Sequence, residues 1–432
     1  MKIVADLHIH SKYSRAVSPE MTLENIDVWA KKKGIQVMGT GDFTHPQWFN
    51  EIKTKLEPAE KGLFRLKPEL GHSMSKRTSN VQVNSTHFML TTEISSIYSK
   101  GGKARRIHNL IFAPSIEAVE KINTKLGWIG NLKSDGRPIL GLDSKELLKI
   151  VLDADERCVL IPAHAWTPWF SVFGSMSGFD SIEECFEEMT PHIFAIETGL
   201  SSDPAMNWRL SALDKISLIS NSDSHSLQKI GREANIFNCE LSYDGIIDAI
   251  KSKDPKKFLY TIEFFPEEGK YHYDGHRDCQ VSFSPSETKK HKNKCPVCGK
   301  NLTVGVLNRV DVLADLPAEA VAKAGRVLFK SLIPLDEIIG EAFGVGPKSK
   351  KVMSAYEKLI SALGSELNVL EESSYNEIAG ASDQKIAEAI KRVREGKVNI
   401  KPGYDGEYGK ISIFGEKDKK MSLCKQRPLL KI

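Results

Sequence analysis

The chain has 432 residues, 41% of them hydrophobic and 27% charged. That balance supports a buried core and excludes wholesale disorder, a collagen-like repeat and a small scaffold held together by staples; at about 150 residues per domain the length corresponds to roughly three domains. The net charge of +4 says little as a total, but residues 1–269 carry 32 Lys and Arg against 35 Asp and Glu, and residues 270–432 carry 28 against 21, so a basic part follows a mildly acidic one.

No apolar run approaches the ~20 residues of a membrane helix. The opening MKIVADLHIHS lacks the apolar stretch of a signal peptide, which predicts a cytoplasmic protein with no membrane partner. Cys158, Cys185, Cys239, Cys279, Cys295, Cys298 and Cys424 are odd in number and scattered, a pattern that argues against a disulfide framework.

Short apolar runs predict strands at 3–5, 35–39, 88–92, 109–112, 159–162, 193–196 and 218–220, with helical patterns between several of them, as at 23–33, 144–154 and 243–251. Strands separated by helices predict a largely parallel α/β fold, and seven strands suffice for an irregular barrel. Residues 91–112 read as a hairpin with turn signals at Ser99-Lys100-Gly101-Gly102. A turn centred between Lys100 and Gly101 sets Glu93 opposite His108. From 266 to 308 the chain is rich in Lys, His, Gly and Cys; residues 311–397 are helical in pattern, and a Gly- and Lys-rich end follows. The expected units are therefore 1–265, 266–310 and 311–432.

Most predicted strands run into a metal-ligand residue type: His8 and His10, then Asp42 with His45, then Glu93, His164, Glu197, and Asp223 with His225. Carboxyl ends of barrel strands share one face, where catalytic groups gather. Residues two apart on a strand point to one side, which pairs His8 with His10 and Asp223 with His225. Imidazole and carboxylate without thiolate suit Zn, Mn or Fe, and the set has room for two or three ions. Such centres serve phosphoester cleavage. Further on, His276 and Cys279 precede Cys295-Pro-Val-Cys298, a spacing suited to structural zinc; His272 and His291 are alternatives to His276. Gly344-Val-Gly346-Pro-Lys348-Ser-Lys350 lies between two helical patterns and resembles a helix-hairpin-helix element, whose backbone N–H groups hold a DNA phosphate without reading sequence. A basic helix is expected at 383–396.

The segments DLHIHS, GTGDFTH, TTEIS, RRIHNLIF, IPAHAWTP and SNSDSH resemble the motifs of the PHP (polymerase and histidinol phosphatase) family. The resemblance implies a distorted seven-stranded (β/α)7 barrel with a trinuclear metal site that hydrolyses phosphoesters. Its ligands fall on His8, His10, Glu93, His108, His164, Asp223 and His225. Gly41-Asp42-Phe43 stands where the family often has Thr-Asp-His, leaving Asp42 or His45 as that ligand. The family's ligand after H-x-H falls near Ser14 and Arg15, neither of ligand type.

The order of barrel, zinc element and basic helical end, with GKYHYDGHRDC, CPVCG, ETGLSSDP and GYDGEYGKI, resembles the endonuclease Q family over nearly the whole chain. That implies a nucleoid-associated DNA repair nuclease. It cuts 5′ to deaminated bases (uracil, hypoxanthine, xanthine) or abasic sites, and leaves 3′-hydroxyl and 5′-phosphate ends. Zinc would be structural and also sit in the barrel, with Mg²⁺ or Mn²⁺ required for activity. Glu93 is the expected bridging carboxylate, with Asp203 and Glu197 orienting water or holding metal. Trp166, Trp169 and Phe170 would wall a pocket for a flipped base. Gly344, Gly346, Lys348 and Lys350 would hold double- or single-stranded DNA. Residues 425–430, KQRPLL, are a poor match to a sliding-clamp tail. The competing readings are a phosphatase of small phosphomonoesters and a DNA-binding scaffold with an inactive barrel.

Overall fold

The computed structural model describes residues 1–71, 86–320 and 325–415. Residues 424–430, with the last cysteine and the clamp-like tail, lie outside the described residues. Strands β1 (Lys2–Asp6), β2 (Val37–Gly39) and β3 (His87–Lys100) run parallel as neighbours. Between the first two, α1 (Leu23–Lys33) starts at Thr22, whose side chain accepts from Asn25 N, and stops at Gly34 with φ +89°. This is the pairing of polar cap and left-handed glycine that bounds a helix.

After α2 (Pro46–Lys55) and β3, β4 (Lys103–Ala113) turns back antiparallel. Gly101 and Gly102, at φ +59° and +72°, make the tight turn. The turn therefore centres between the glycines, and Glu93 pairs with Leu110 and Ser95 with His108. The expected register is off by two residues. A shift of two keeps the face, so Glu93 and His108 still meet, on a diagonal.

Helices α3 (Ile116–Ile129) and α4 (Ser144–Ala154) lead to β5 (Val159–Pro162), which pairs antiparallel with β4. A parallel pair, β6 (Ala195–Glu197) and β7 (Ser217–Ile219), follows. All seven expected runs are thus strands. The ladders stop between β5 and β6 and between β7 and β1. There, contacts just past the strand ends join the neighbours: Ala165 N donates to Glu197 O at 2.9 Å, and Ile9 forms a parallel bridge with Ser224 in which His10 N donates to Ser224 O at 3.0 Å.

The free edge of β1 is taken by a strand the sequence pattern did not reveal. β8 (Ala234–Asn238) runs antiparallel to β1; after α5 (Tyr243–Ser252), β9 (Phe258–Glu263) pairs antiparallel with β8. The reversal before β8 passes Gly231 at φ +71°, whose N–H is held by Asp6 Oδ2 at 2.9 Å.

The three units interleave across their expected boundaries. β10 (Leu328–Ser331) adds to β9 in parallel, so part of the expected third unit belongs to the main sheet. Four helices follow: α6 (Leu335–Phe343), α7 (Lys350–Leu363), α8 (Tyr375–Ala381) and α9 (Gln384–Arg394). The chain then returns to the 266–273 segment. Gly403 N donates to Glu267 O at 2.8 Å and Gly409 N to Glu268 O at 3.1 Å. A Cβ on Gly409 would fall 1.9 Å from Glu267 O, so this clasp needs glycine. Among the described residues no helix is long and apolar enough to cross a membrane.

Candidate active site

The carboxyl end of β1 continues as His8-Ile9-His10. Leu7 and Ile9 are buried in the apolar core while the imidazoles face the other way, also buried. Loops after β2, β5 and β7 close in with Asp42, His164 and Asp223 at φ +49°, +29° and +45°. Left-handed backbone at non-glycine residues costs about 1–3 kcal/mol each and collects at working sites.

Two ligand sets form. His8 Nε2, His10 Nε2, one oxygen of Glu93 and Asp223 Oδ1 make the first; the second oxygen of Glu93 meets His108 and His164. The donor atoms of each set lie within 4.8 Å of one another. In the first, His10 Nε2 is 3.2 Å from Glu93 Oε2 and 3.1 Å from Asp223 Oδ1, and His8 Nε2 is 3.5 Å from both. In the second, Glu93 Oε1 is 2.7 Å from His108 Nδ1 and 3.1 Å from His164 Nε2. Glu93 therefore joins the sets, one oxygen to each.

The donor atoms fit a cation. His8 Nε2, His10 Nε2 and Asp223 Oδ1 are buried and make no hydrogen bond, which is costly for the protein alone. Burial pulls the His8 and His10 imidazoles down. Glu197, Asp223 and Glu93 around the first, and Asp42, Asp223 and Glu93 around the second, outweigh it and push both well up. The same carboxylates would favour a divalent ion at these nitrogens. Burial drives His108 down to about 4, against the opposing pull of Glu93.

The outer nitrogens of the first two rings are occupied. Glu197 accepts from His8 Nδ1 at 3.0 Å, from Asn221 Nδ2 at 2.9 Å and from His164 N at 2.8 Å. Asp42 binds His10 Nδ1 at 3.0 Å and accepts from Ser11 N at 2.6 Å, Ser11 Oγ at 2.7 Å and Ser14 Oγ at 2.8 Å. Carboxylates in this position fix the tautomer and aim Nε2 inward. Glu197 and Asp42 thus stand outside both ligand sets.

Three other expected residues also lie outside the two sets. His45 stacks on Tyr13 at 4.5 Å. His225 sits edge-on to His10 at 4.7 Å, its side chain 34% exposed. Asp203 caps the turn Pro204–Asn207, accepting from Met206 N at 2.8 Å. Asp-Pro at a helix start is an ordinary capping arrangement. Absent from the sequence expectation are Asn221, the roles of Ser11 and Ser14, and Arg137, whose Nη1 donates to Glu93 Oε2 at 3.0 Å.

The aromatic residues divide by depth. Trp166 is buried, its Nε1 donating to Asn207 Oδ1 at 2.7 Å. Phe170 packs 4.8 Å from the His108 ring, and its carbonyl accepts from His108 N at 3.1 Å. Trp169 is 36% exposed and meets Tyr271 edge-on at 5.5 Å. With Pro168, Tyr408 and Val306 they line an open cavity of about 270 Å³. Thr167, another lining residue, lies 3.2 Å from His164 Nδ1 and ties the cavity to the centre.

In the second unit the donor atoms of His276, Cys279, Cys295 and Cys298 lie within 4.8 Å of one another. His272 stacks instead on Tyr273 and His291 on Phe283. In the helical unit, α6 ends at Gly344 with φ +70° and Ser349 caps α7, leaving Gly344, Gly346, Lys348 and Lys350 exposed on the turn. A second helical hairpin, α8 with α9, turns at Ser382-Asp383. The Ser374–Glu377 capping box that starts it is visible in the sequence.

Residues 334–397 match the family model "MJ0043 C-terminal domain". Protein YqxK of Bacillus subtilis is 31% identical over 95% of this chain and 99% of its own length. Protein MJ0043 of Methanocaldococcus jannaschii is 36% identical over 59% of this chain; the match spans about a third of that longer protein, 32%. The crystal structure of the lesion-specific endonuclease PfuEndoQ from Pyrococcus furiosus superposes with a TM-score of 0.82 at 31% identity, over 99% of this chain and 100% of that one. Endonuclease Q in complex with a 27-mer duplex bearing an abasic lesion at its active site gives 0.81 at 32%, over 97% and 98%. This mixed α/β enzyme with a helical C-terminal unit takes its place among the DNA endonucleases. The chain belongs to the endonuclease Q family.

Proposed function

We propose that this enzyme repairs DNA by hydrolysing the phosphodiester 5′ to a deaminated base (uracil, hypoxanthine or xanthine) or an abasic site. It leaves 3′-hydroxyl and 5′-phosphate ends and acts in the cytoplasm, on the nucleoid. The observation that carries this reading is Glu93 joining two imidazole sets, in the first of which the inward atoms of His8, His10 and Asp223 are unbonded, in a chain of this family. The structure of endonuclease Q with an abasic duplex at its active site supports the lesion class.

The seven strands β1–β7 are read as a PHP-type barrel. His8, His10, Asp223 and Glu93 would hold one ion and His108, His164 and Glu93 another, with His225 beside His10 as the further candidate ligand. Zn²⁺, Mn²⁺ or Mg²⁺ there would polarise the scissile phosphate and supply hydroxide near neutral pH. Glu93 keeps the two sets in register; Glu197 and Asp42 hold the His8 and His10 rings, and the Phe170 carbonyl holds the backbone of His108. Asp203 fixes the loop after β6.

The cavity behind Thr167 suits an extruded base, with Trp169 as the exposed stacking ring and Trp166 as support beneath. His276, Cys279, Cys295 and Cys298 would hold structural zinc, since three thiols and an imidazole make a complete tetrahedral set. The Gly344–Gly346 turn with Lys348 and Lys350 would grip the backbone of duplex or single-stranded DNA, as a helix-hairpin-helix does.

The test is incubation with end-labelled duplexes carrying uracil, hypoxanthine or an abasic analogue, with and without Mg²⁺. A metal-dependent nick mapped to the 5′ side of the lesion is expected. No cleavage, or a cut on the 3′ side, removes the reading.

A further inference from the structure

Arg137 lies in the loop between α3 and α4, outside every motif that marks the ligands. Its Nη1 reaches Glu93 Oε2 at 3.0 Å, the oxygen that also faces His8 and His10. The side chain is 26% exposed. Among the described residues this is its one side-chain hydrogen bond, so most of the five guanidinium donors are uncommitted.

The loop is held rigidly against the centre. Gly136 N donates to Tyr13 O at 3.1 Å, Ser95 N to Pro138 O at 3.1 Å and Arg137 N to Asp135 Oδ1 at 3.1 Å. A Cβ on Gly136 would fall 2.3 Å from both Asp42 Oδ2 and Ser14 Oγ. Only glycine lets the loop press on the carboxylate that orients His10, and the arginine follows it in. A rigid support of this kind is what a pre-organised charge needs.

A counter-ion role alone explains little. Glu93 already has four histidines around it, and a guanidinium on a ligand carboxylate competes with the ions that the carboxylate would bind. A partly exposed fork with free donors at that spot instead matches the paired non-bridging oxygens of a phosphodiester. We propose that Arg137 is a catalytic residue that binds the scissile phosphate and holds the charge developing on it in the transition state. The inference rests on the endonuclease reading above and adds a protein cation to its metal-ligand set.

The experiment compares wild type, Arg137→Ala and Arg137→Lys on a uracil duplex under single-turnover conditions. Bound metal per chain and duplex affinity in EDTA are measured on the same preparations. Arg137→Ala should cut about 100-fold or more slowly, keep its metal content and bind the duplex within about threefold of wild type. Arg137→Lys should recover only part of the rate, because an ammonium is a point charge rather than a fork. Added guanidinium should accelerate Arg137→Ala and not wild type. A rate for Arg137→Ala within about threefold of wild type overturns the inference. So does loss of bound metal from it, which would make the residue a support for Glu93. A wild-type enzyme that leaves the uracil duplex intact removes the endonuclease reading and this inference with it; cutting by wild type and Arg137→Ala alike removes this inference alone.

Discussion

Glu93 is fully buried, with imidazoles at both oxygens and a guanidinium at one. Burial raises a carboxyl, but here His108, Arg137 and His8 hold it well below the usual range. A second buried carboxylate pair shows the opposite behaviour. Glu263, which accepts from Thr198 Oγ1 at 2.9 Å, is raised to about 8, chiefly by burial; Glu233 is raised well above its ordinary value by burial and by Glu263. The folded state therefore keeps a proton that the unfolded chain gives up near pH 4.5. Stability from this pair is complete below that pH and is lost as pH rises towards 8. Glu263→Gln should flatten that decline and raise the melting temperature at pH 8 by on the order of 5 °C relative to wild type. Melting curves from pH 5 to 8 check it, and equal slopes for the two proteins would count against it. At this scale the grouping of the candidate ligands His8 and His10 was legible because alternation at a strand end puts them on one side. Arg137, Asn221 and the serines that brace Asp42 were not, because loops carry no periodicity from which a direction can be read.

At the scale of elements, the strands were legible where an apolar run ended in a candidate ligand, as at 88–93 and 159–164. The register of β3 on β4 was not, because it depends on which two of four turn residues take positive φ, and here both glycines do. β8 was hidden because its five residues, ANIFN, are half polar and offer no longer pattern. Asn235 is polar for a local reason: its side chain bonds the backbone of Ser220 and the side chain of Asn221. The second helical hairpin escaped notice because α8 has only seven residues, too few to show a stripe. The first hairpin carries a prediction. Replacing Lys348 and Lys350 with alanine should weaken binding to undamaged duplex about 3- to 10-fold and lower the slope of log affinity against log salt by about one per lysine. Fluorescence anisotropy at several salt concentrations measures both, and an unchanged slope would place the DNA elsewhere.

For the whole molecule, the acid excess of residues 1–269 includes the carboxylates that build the centre, and the basic remainder is clasped onto the main sheet rather than tethered to it. The tail's glycines bond to Glu267 and Glu268, and β10 adds to the main sheet. Arg137 brings a cation to the candidate centre, and Lys270 lines the adjoining cavity. Glu93 is the residue that makes one candidate centre of two ligand sets. Glu93→Gln can be assayed for bound metal and for nicking of a uracil duplex in one preparation. The variant should lose the ions held by the two imidazole sets, keep zinc at the cysteine cluster, and nick about 1,000-fold or more slowly. Nicking at close to the wild-type rate, with the barrel ions retained, would contradict this.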